Sequence, residues 1–375
     1  MVTVLAIMAL LSVLLACWQW VAAWRFPLHT RLPNPSFQPP VTLLKPLKGC
    51  DTKTVECLKS WLQQDYKGQV QILFGVAAAE DPACEAVRKL ISDHPGSYIQ
   101  LVICKEALGF NAKVSTLIQL SRLARHEIIS VSDADVLVST DFLKNAVAPL
   151  ENANTGLVNC FYRLANPSNL AMHWEAIAIN ADFWSQVLQG QNLQPLDFAL
   201  GAVMTTRRAQ LKSIGGFEAL ADYLADDFQL GNRIAKTGKE IVISPIVVDC
   251  LSHPMGWKEV WAHQLRWART IRVSKPAPYA MSIISNPTLW PLAWYIMQPT
   301  HRVLLFLAIS LLARILMAET LQSRFNKDGQ RNHCWLAPIK DILQFGIWMQ
   351  AFFGNSILWR GQRYHLQKDG TLQKV

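Results

Sequence analysis

The sequence predicts an α/β fold: a mainly parallel sheet covered by helices on both faces, set between apolar segments at its two ends. Two observations carry that prediction. Between Val41 and Ser132, short apolar runs alternate with stretches of helical periodicity, the pattern of a parallel sheet buried on both faces. Outside that region, residues 1–24 carry no charged side chain, and three further apolar stretches follow residue 278. Composition agrees. Of 375 residues, 51% are hydrophobic and 17% charged, against about a quarter charged in soluble domains, and the mean hydropathy is +0.16.

Residues 1–24 are long enough to cross a bilayer, whereas a secretory signal usually has a basic start and a shorter apolar core. The first positive charges, Arg25 and Arg31, come after the apolar run. The positive-inside rule then places the amino terminus outside and the main domain in the cytoplasm, so the segment reads as a transmembrane signal anchor. A linker at 25–40 follows, rich in proline (Pro33, Pro35, Pro39, Pro40).

The main domain is expected over 41–256. A strand at 41–44 runs into Lys45-Pro46-Leu47-Lys48-Gly49, and Val55, Leu58, Trp61 and Leu62 recur at helical spacing. Val70–Val76 is a second strand, followed by Glu80-Asp81-Pro82. Cys84, Val87, Leu90 and Ile91 mark a helix, 99–104 a third strand, and Val114, Leu117, Ile118 and Leu123 another helix. Ile128, Ile129 and Val131 form a buried strand that stops at Asp133. This is a nucleotide-binding type of pattern, yet no GxGxxG follows the first strand and no GxxxxGKS/T occurs, which sets aside dinucleotide and P-loop folds.

The second half is less regular. Strands are expected at 157–163, 200–206 and 241–248, and a short helix at 207–216 closed by Gly215-Gly216. Ala225-Asp226-Asp227-Phe228 opens a helix reaching about Lys236, where acids suit the positive end of the dipole whether or not they do chemistry. Residues 257–273 make an amphipathic helix with Trp257, Trp261 and Leu265 on one face and His263, Arg266, Arg269 and Arg272 on others. With residues to 278 it reads as an interfacial helix, and its arginines could hold a diphosphate. Over 279–360 the apolar stretches 279–297, 303–318 and 335–359 are interrupted by Pro287, Pro291, Pro338, Arg314 and Asp341. They are expected to span the membrane or to be re-entrant. Residues 361–375 form a polar tail.

A net charge of +9 suits an anionic lipid surface or a phosphate-bearing substrate. No nucleic-acid recognition motif is present, and the 14 Trp fit membrane interfaces better. Nucleic acid is therefore not an expected partner. The eight Cys are scattered, with no CxxC pair and no clustered His, so neither zinc nor a disulfide framework is indicated.

The residues with the clearest chemistry are Asp133 and Asp135. Two residues apart in extended backbone, their side chains leave on one side, at the carboxyl end of a strand, where open α/β sheets bind ligands. Two such carboxylates repel unless a cation or sugar hydroxyls lie between them. A hard divalent ion that leaves most of its ligands to phosphate and water is the Mg²⁺ habit. A solvated turn is the competing reading, because Asp is common in turns. Together with the later acid at a helix start and the Arg/Trp helix, the pair points to a metal-bound sugar nucleotide opened by an acceptor hydroxyl.

At these positions the sequence resembles the ceramide glucosyltransferase family (glycosyltransferase family 21) and the related bacterial hopanoid-biosynthesis glycosyltransferases. The resemblance covers about residues 41–273, and the flanking apolar regions match in layout. Lys45-Pro46-Leu47-Lys48-Gly49 matches the family's KPLKG opening, and Asp81 the acid on the nucleoside side. Gly109-Phe110-Asn111-Ala112-Lys113 is similar to the GxNxK segment near the nucleotide. Asp133 and Asp135 fill the metal and diphosphate motif, Asp227 matches the catalytic base, and Arg266-Trp267 match the RW of (Q/R)xxRW. One position departs: His263 stands where the family has Gln or Arg, and it too can donate a hydrogen bond to phosphate.

The resemblance implies a GT-A (Rossmann-like) domain with an N-terminal transmembrane helix and C-terminal membrane-associated helices. It implies an inverting transfer of one hexose, glucose or N-acetylglucosamine, from a UDP-sugar to a ceramide-like or hopanoid-like lipid hydroxyl. Mg²⁺ or Mn²⁺ on Asp133 and Asp135 would serve as cofactor, and Lys45, Asp81, Asn111, Lys113, Asp133, His263, Arg266 and Trp267 would bind substrate. The expected place is a bacterial inner membrane, with the catalytic domain facing the cytoplasm. A processive polysaccharide synthase shares the RW signature, but the carboxy-terminal segments look too few and broken to line a pore. A non-catalytic membrane binding protein would not need Asp81, Asp133, Asp227 and Arg266 together.

Overall fold

The computed structural model describes residues 1–326, 333–359 and 362–374. The boundary expected between the apolar segments and the polar tail, at 360/361, lies outside the described residues. Eight strands form the main sheet: β1 (Val41–Pro46), β2 (Val70–Val76), β3 (Tyr98–Ile103), β4 (Ile128–Ser132), β5 (Val136–Leu137), β6 (Thr155–Leu164), β7 (Val203–Arg207) and β8 (Glu240–Cys250), in the order β3-β2-β1-β4-β7-β6-β8-β5. β3, β2, β1 and β4 run parallel to one another. β7 is antiparallel to β4 and to β6, β6 and β8 are parallel, and β5 runs antiparallel to β8. The sheet is thus mixed where the sequence predicts a mainly parallel one. The crossover helices signal the parallel half, whereas β7 pairs antiparallel with β6 although a helical run, Leu170–Gln191, lies between the two strands.

The strand order places the site. The chain moves outward from β1 through β2 to β3, then returns to the other side of β1 as β4. The crevice where the order reverses lies at the carboxyl ends of β1 and β4, the position where open α/β sheets bind ligands. Lys45 is the penultimate residue of β1, and Asp133 directly follows β4.

β1 is buried along its whole length, because both of its faces are covered. Leu43 packs with Leu58, Trp61, Phe74 and Val87, and Leu44 with Leu73, Leu117, Phe161 and Trp184 on the other side. That second cluster also takes in Ala22, Ala23, Ala318, Leu321 and Phe325. The ends of the two longest apolar helices are therefore part of the sheet's own core.

Those helices are Val2–Arg25 and His301–Phe325, about 36 Å and 38 Å long at 1.5 Å per residue against a hydrocarbon core of about 30 Å. Within their most apolar windows, 17% and 28% of residues are buried. Val4, Ile7, Leu14, Leu305, Ile309 and Leu312 face outward instead, unlike a soluble core helix. The other two apolar stretches do not form long helices. Residues 279–297 break into Pro276–Met281, a 3-10 turn at Ser282–Ser285 and Leu289–Met297, with Pro287 between the last two. The stretch 335–359 gives Ala337–Gln350 and then turns into a strand. The tail forms two strands, Gln362–Leu366 and Leu372–Lys374, beside Ser356–Trp359. Tyr364, Leu366 and Leu372 bury against Leu224.

The helix Trp257–Ser274 buries Val260, Gln264 and Ala268, one stripe at i, i+4, i+8. Trp257 and Trp261, read from sequence as one apolar face, lie beside Trp174, with ring centroids 6.0 and 6.3 Å away. Trp261 also donates to Gln350 Oε1 at 2.9 Å. The helix packs between Leu170–Ile177 of the domain and the carboxy-terminal helix Ala337–Gln350.

Candidate active site

A cavity of about 1220 Å³ opens at the sheet's switch point and runs to the apolar helices. Lys113, Asp133, Asp135, Asp227, His263, Arg266 and Trp267 all line it. Residues drawn from 113 to 267 are gathered there: Lys113, Asp133, Asp135 and Asp227 stand at or beside element ends, and His263, Arg266 and Trp267 lie along the helix Trp257–Ser274.

Asp133 and Asp135 sit on the three-residue turn between β4 and β5. The Asp133 amide donates to the Ala202 carbonyl at 3.2 Å, and its carboxylate accepts from Lys113 Nζ at 2.8 Å. Lys113 also pairs with Asp226 at 3.1 Å. Burial would strip the charge from Lys113, but the carboxylates of Asp133 and Asp226 outweigh it and hold the ammonium above its ordinary range. Asp135 is open to the cavity yet ringed by protein. That surrounding and the like charge of Asp133 push its carboxyl up to about 6.

Asp227 lies in the first turn of the helix Asp226–Lys236 and accepts from the amide of Phe228 at 2.7 Å. Burial first, and neighbouring Asp226 second, raise its carboxyl to about 6. Gly201 makes room for it: a Cβ there would stand 2.8 Å from Asp227 Oδ2. A carboxylate poised near neutrality in a cavity has the properties of a general base.

His263, Arg266 and Trp267 lie on the cavity side of Trp257–Ser274. His263 Nδ1–H donates to Glu175 Oε1 at 2.5 Å, an oxygen that also accepts from Gln264 Nε2 at 3.0 Å. Because a carboxylate can only accept, Nδ1 carries the proton and Nε2 is the ring's remaining polar atom. Trp267 packs among Tyr162, Phe183 and His263, which fixes this part of the wall.

Three residues expected to bind substrate sit behind the cavity surface. Lys45 is fully buried, and its ammonium donates to Ser132 Oγ at 3.1 Å and to the Asp133 carbonyl at 2.8 Å, over the Trp61 ring. Burial lowers it to about 8. It is a prop beneath the Asp133 turn. Asn111 is also fully buried. It caps the helix Ala112–Leu123 through Val114 N, and its amide donates to the Tyr223 carbonyl at 2.7 Å. Asp81 accepts from Gly49 N at 3.0 Å and Ala83 N at 2.9 Å, which ties the Lys48-Gly49 loop to the end of β2. Glu175 and Gly201 escaped sequence reading, and Asp226 was read there only as the first of the two acids opening its helix.

Comparison with known proteins adds to this geometry. A family model described as Glycosyl transferase family 21 matches residues 2–372. Ceramide glucosyltransferase 1 of Caenorhabditis elegans is 25% identical over 221 residues, 58% of this chain and 47% of the relative. A ceramide glucosyltransferase of Candida albicans is 29% identical over 193 residues, 46% of this chain and 35% of the relative. The chain therefore spans about half the length, or less, of these curated relatives. Among solved structures, a mannosyltransferase from Pyrobaculum calidifontis in complex with GDP-Man and Mn²⁺ is similar with a TM-score of 0.59 at 21% identity, over 94% of this chain and 98% of that one. That likeness establishes the GT-A fold.

Proposed function

We infer the function from one premise: this chain belongs to glycosyl transferase family 21. We propose that it is a membrane-bound inverting hexosyltransferase. It moves a single glucose or N-acetylglucosamine from a UDP-sugar to the hydroxyl of a lipid, a ceramide-like sphingolipid or a hopanoid polyol. The observation that carries the reading is the single cavity joining Asp133, Asp135, Asp227 and Arg266 to helices of membrane length. The catalytic domain faces the cytoplasm of a bacterial inner membrane, where UDP-sugars are made.

Asp133 and Asp135 suit a hard divalent cation. Burial first, and the like charge of Asp133 second, raise the Asp135 carboxyl, and a cation between the pair would favour its ionised form. Among the described residues no group of three or more His, Cys, Asp or Glu could hold a metal, so its other ligands would come from the donor's diphosphate and water. When bound, Mg²⁺ or Mn²⁺ supplies positive charge against the diphosphate.

In the transfer, Asp227 takes the proton of the acceptor hydroxyl as that oxygen bonds to the anomeric carbon. The bond from this carbon to the diphosphate oxygen breaks, and its electron pair leaves with UDP. Displacement from the opposite face inverts the centre, so an α-linked donor gives a β-glycoside. Arg266 and His263 offset the charge that grows on the leaving diphosphate. Lys113 holds Asp133 and Asp226 in register, Lys45 and Asn111 support the walls, and Asp81 shapes the nucleoside side.

UDP release by the purified chain with Mg²⁺ or Mn²⁺ tests this. UDP-glucose and UDP-N-acetylglucosamine are each offered with ceramide, a hopanoid polyol or no lipid, and products are weighed by mass spectrometry. Lipid-dependent release with one added sugar is expected. Long chains made without lipid would mean a processive polysaccharide synthase, and no release with folded protein would point to a binding protein.

A further inference from the structure

In the same cavity, four charged side chains meet where the helix His301–Phe325 packs on residues Ala178–Phe183 and on Ala337–Gln350. Arg314 Nε and Nη2 donate to Asp341 Oδ2 and Oδ1 at 2.9 and 2.8 Å, and Nη2 also reaches Asp182 Oδ2 at 2.9 Å. Lys340 Nζ donates to Asp182 Oδ2 at 2.6 Å, and Thr288 Oγ1 to Asp341 Oδ2 at 2.7 Å. Arg314, Lys340 and Asp341 are each at most 5% exposed, and all four charged residues line the cavity. Arg314 stands thirteen residues into His301–Phe325, about 20 Å along a helix of membrane length. Ionisable groups at such depth are costly and mark substrate routes.

Asp182 reaches this cluster through a local irregularity. The run from Leu170 to Gln191 is helical, but Ala178–Phe183 widens into a π turn, a form concentrated at functional sites. The widened turn carries Asp182. A purely structural tie between helix and domain would be made at lower cost by apolar packing, and it would fill the space instead of lining it.

We propose that Asp182, Arg314, Lys340 and Asp341 form the headgroup subsite for the acceptor, and that it takes an uncharged lipid headgroup bearing hydroxyl or amide groups. The inference rests on the lipid-transfer reading above. Two acids and two bases cancel, and each acid is paired with a base. A phosphate headgroup would have to take Arg314 or Lys340 from its carboxylate and leave that carboxylate buried without its partner. A hydroxyl or amide can donate to a carboxylate and accept from an ammonium without breaking either pair. Among the described residues Lys340 gives one hydrogen bond, to Asp182, and so keeps donors for such a group.

The test uses the full chain in detergent, with a short-chain fluorescent ceramide as neutral probe and phosphatidylglycerol as anionic competitor. Binding is read by fluorescence polarisation and transfer by UDP release. Lys340→Met is expected to weaken ceramide binding and raise its KM about tenfold or more, with the KM for UDP-sugar within about twofold. Lys340→Arg should restore most of the loss, and phosphatidylglycerol should compete poorly. If Lys340→Met loses its cooperative melting transition, Asp182→Asn carries the same expectation. A lower Tm with unchanged ceramide affinity would overturn the subsite and leave a structural tie, as would equal competition by phosphatidylglycerol. Wild-type protein that binds ceramide in a Lys340-dependent way but transfers no sugar would keep the subsite and remove the transfer reading.

Discussion

Asp227→Asn should make the protein more stable while disabling it. Burial and Asp226 raise the Asp227 carboxyl from its ordinary 3.8 to about 6. Keeping it ionised at neutral pH therefore costs up to about 3 kcal/mol, at about 1.4 kcal/mol per pKa unit. Asp227 is partly open to the cavity, so solvent screening leaves roughly 1–2 kcal/mol of that cost. The folded state holds this proton more tightly than the unfolded chain does. Stability present below pH 3.8 is thus lost as pH rises through about 6. An isosteric amide does not titrate and escapes the loss. Melting wild type and variant in the same detergent from pH 4 to 8 should show a variant advantage that is small at pH 4 and grows to a few degrees above pH 6.5. Transfer by the variant should fall by about 10²–10⁴. A variant less stable than wild type at pH 7.5, or a difference independent of pH, would refute the account of Asp227 as a strained, buried carboxylate. Full turnover by the variant would remove its assignment as base.

Other outcomes follow from the same geometry. At saturating metal and both substrates, wild-type kcat should drop about tenfold between pH 7 and pH 5, the fraction of a base with a pKa near 6 that is ionised; a flat profile over that range would exclude Asp227 as the titrating group. Gly201→Ala places a methyl 2.8 Å from Asp227 Oδ2, so kcat should fall by about 10-fold to 100-fold while donor KM stays nearly constant, as steady-state kinetics would register. Asp133→Asn should weaken metal-dependent UDP binding by roughly 10-fold to 100-fold, measured by calorimetry with Mn²⁺; unchanged affinity would move the metal away from this turn.

Much of the site was legible because its signals are local. Asp133 and Asp135 stand out because a run of apolar residues stops at them, and Asp226-Asp227 because they precede a helix. The KPLKG and RW segments could be matched residue by residue. The contributions of Lys45 and Asn111 were not legible. A lysine near the end of a strand next to a ligand crevice looks like a substrate contact, and only the packing of Trp61 and Ser132 around it shows that it faces inward. Asn111 reads as a nucleotide neighbour until the helix it caps and the Tyr223 carbonyl it bonds are placed. Glu175 carries no local mark at all, since its partner His263 lies 88 residues away on another element.

The sequence by itself determined the alternation that builds the parallel half of the sheet, the strand-end acids, the family, and one segment, residues 1–24, apolar and long enough for a bilayer. These are properties of neighbouring residues, set by periodicity, spacing and composition. Tertiary structure decided the antiparallel placement of β7, the packing of the Trp257–Ser274 helix, the shortness of two of the three late apolar segments, and the meeting of Asp182 with Arg314, Lys340 and Asp341. A buried charge is tolerable only beside its partner. When that partner lies 132 or 158 residues along the chain, only the folded chain can supply it.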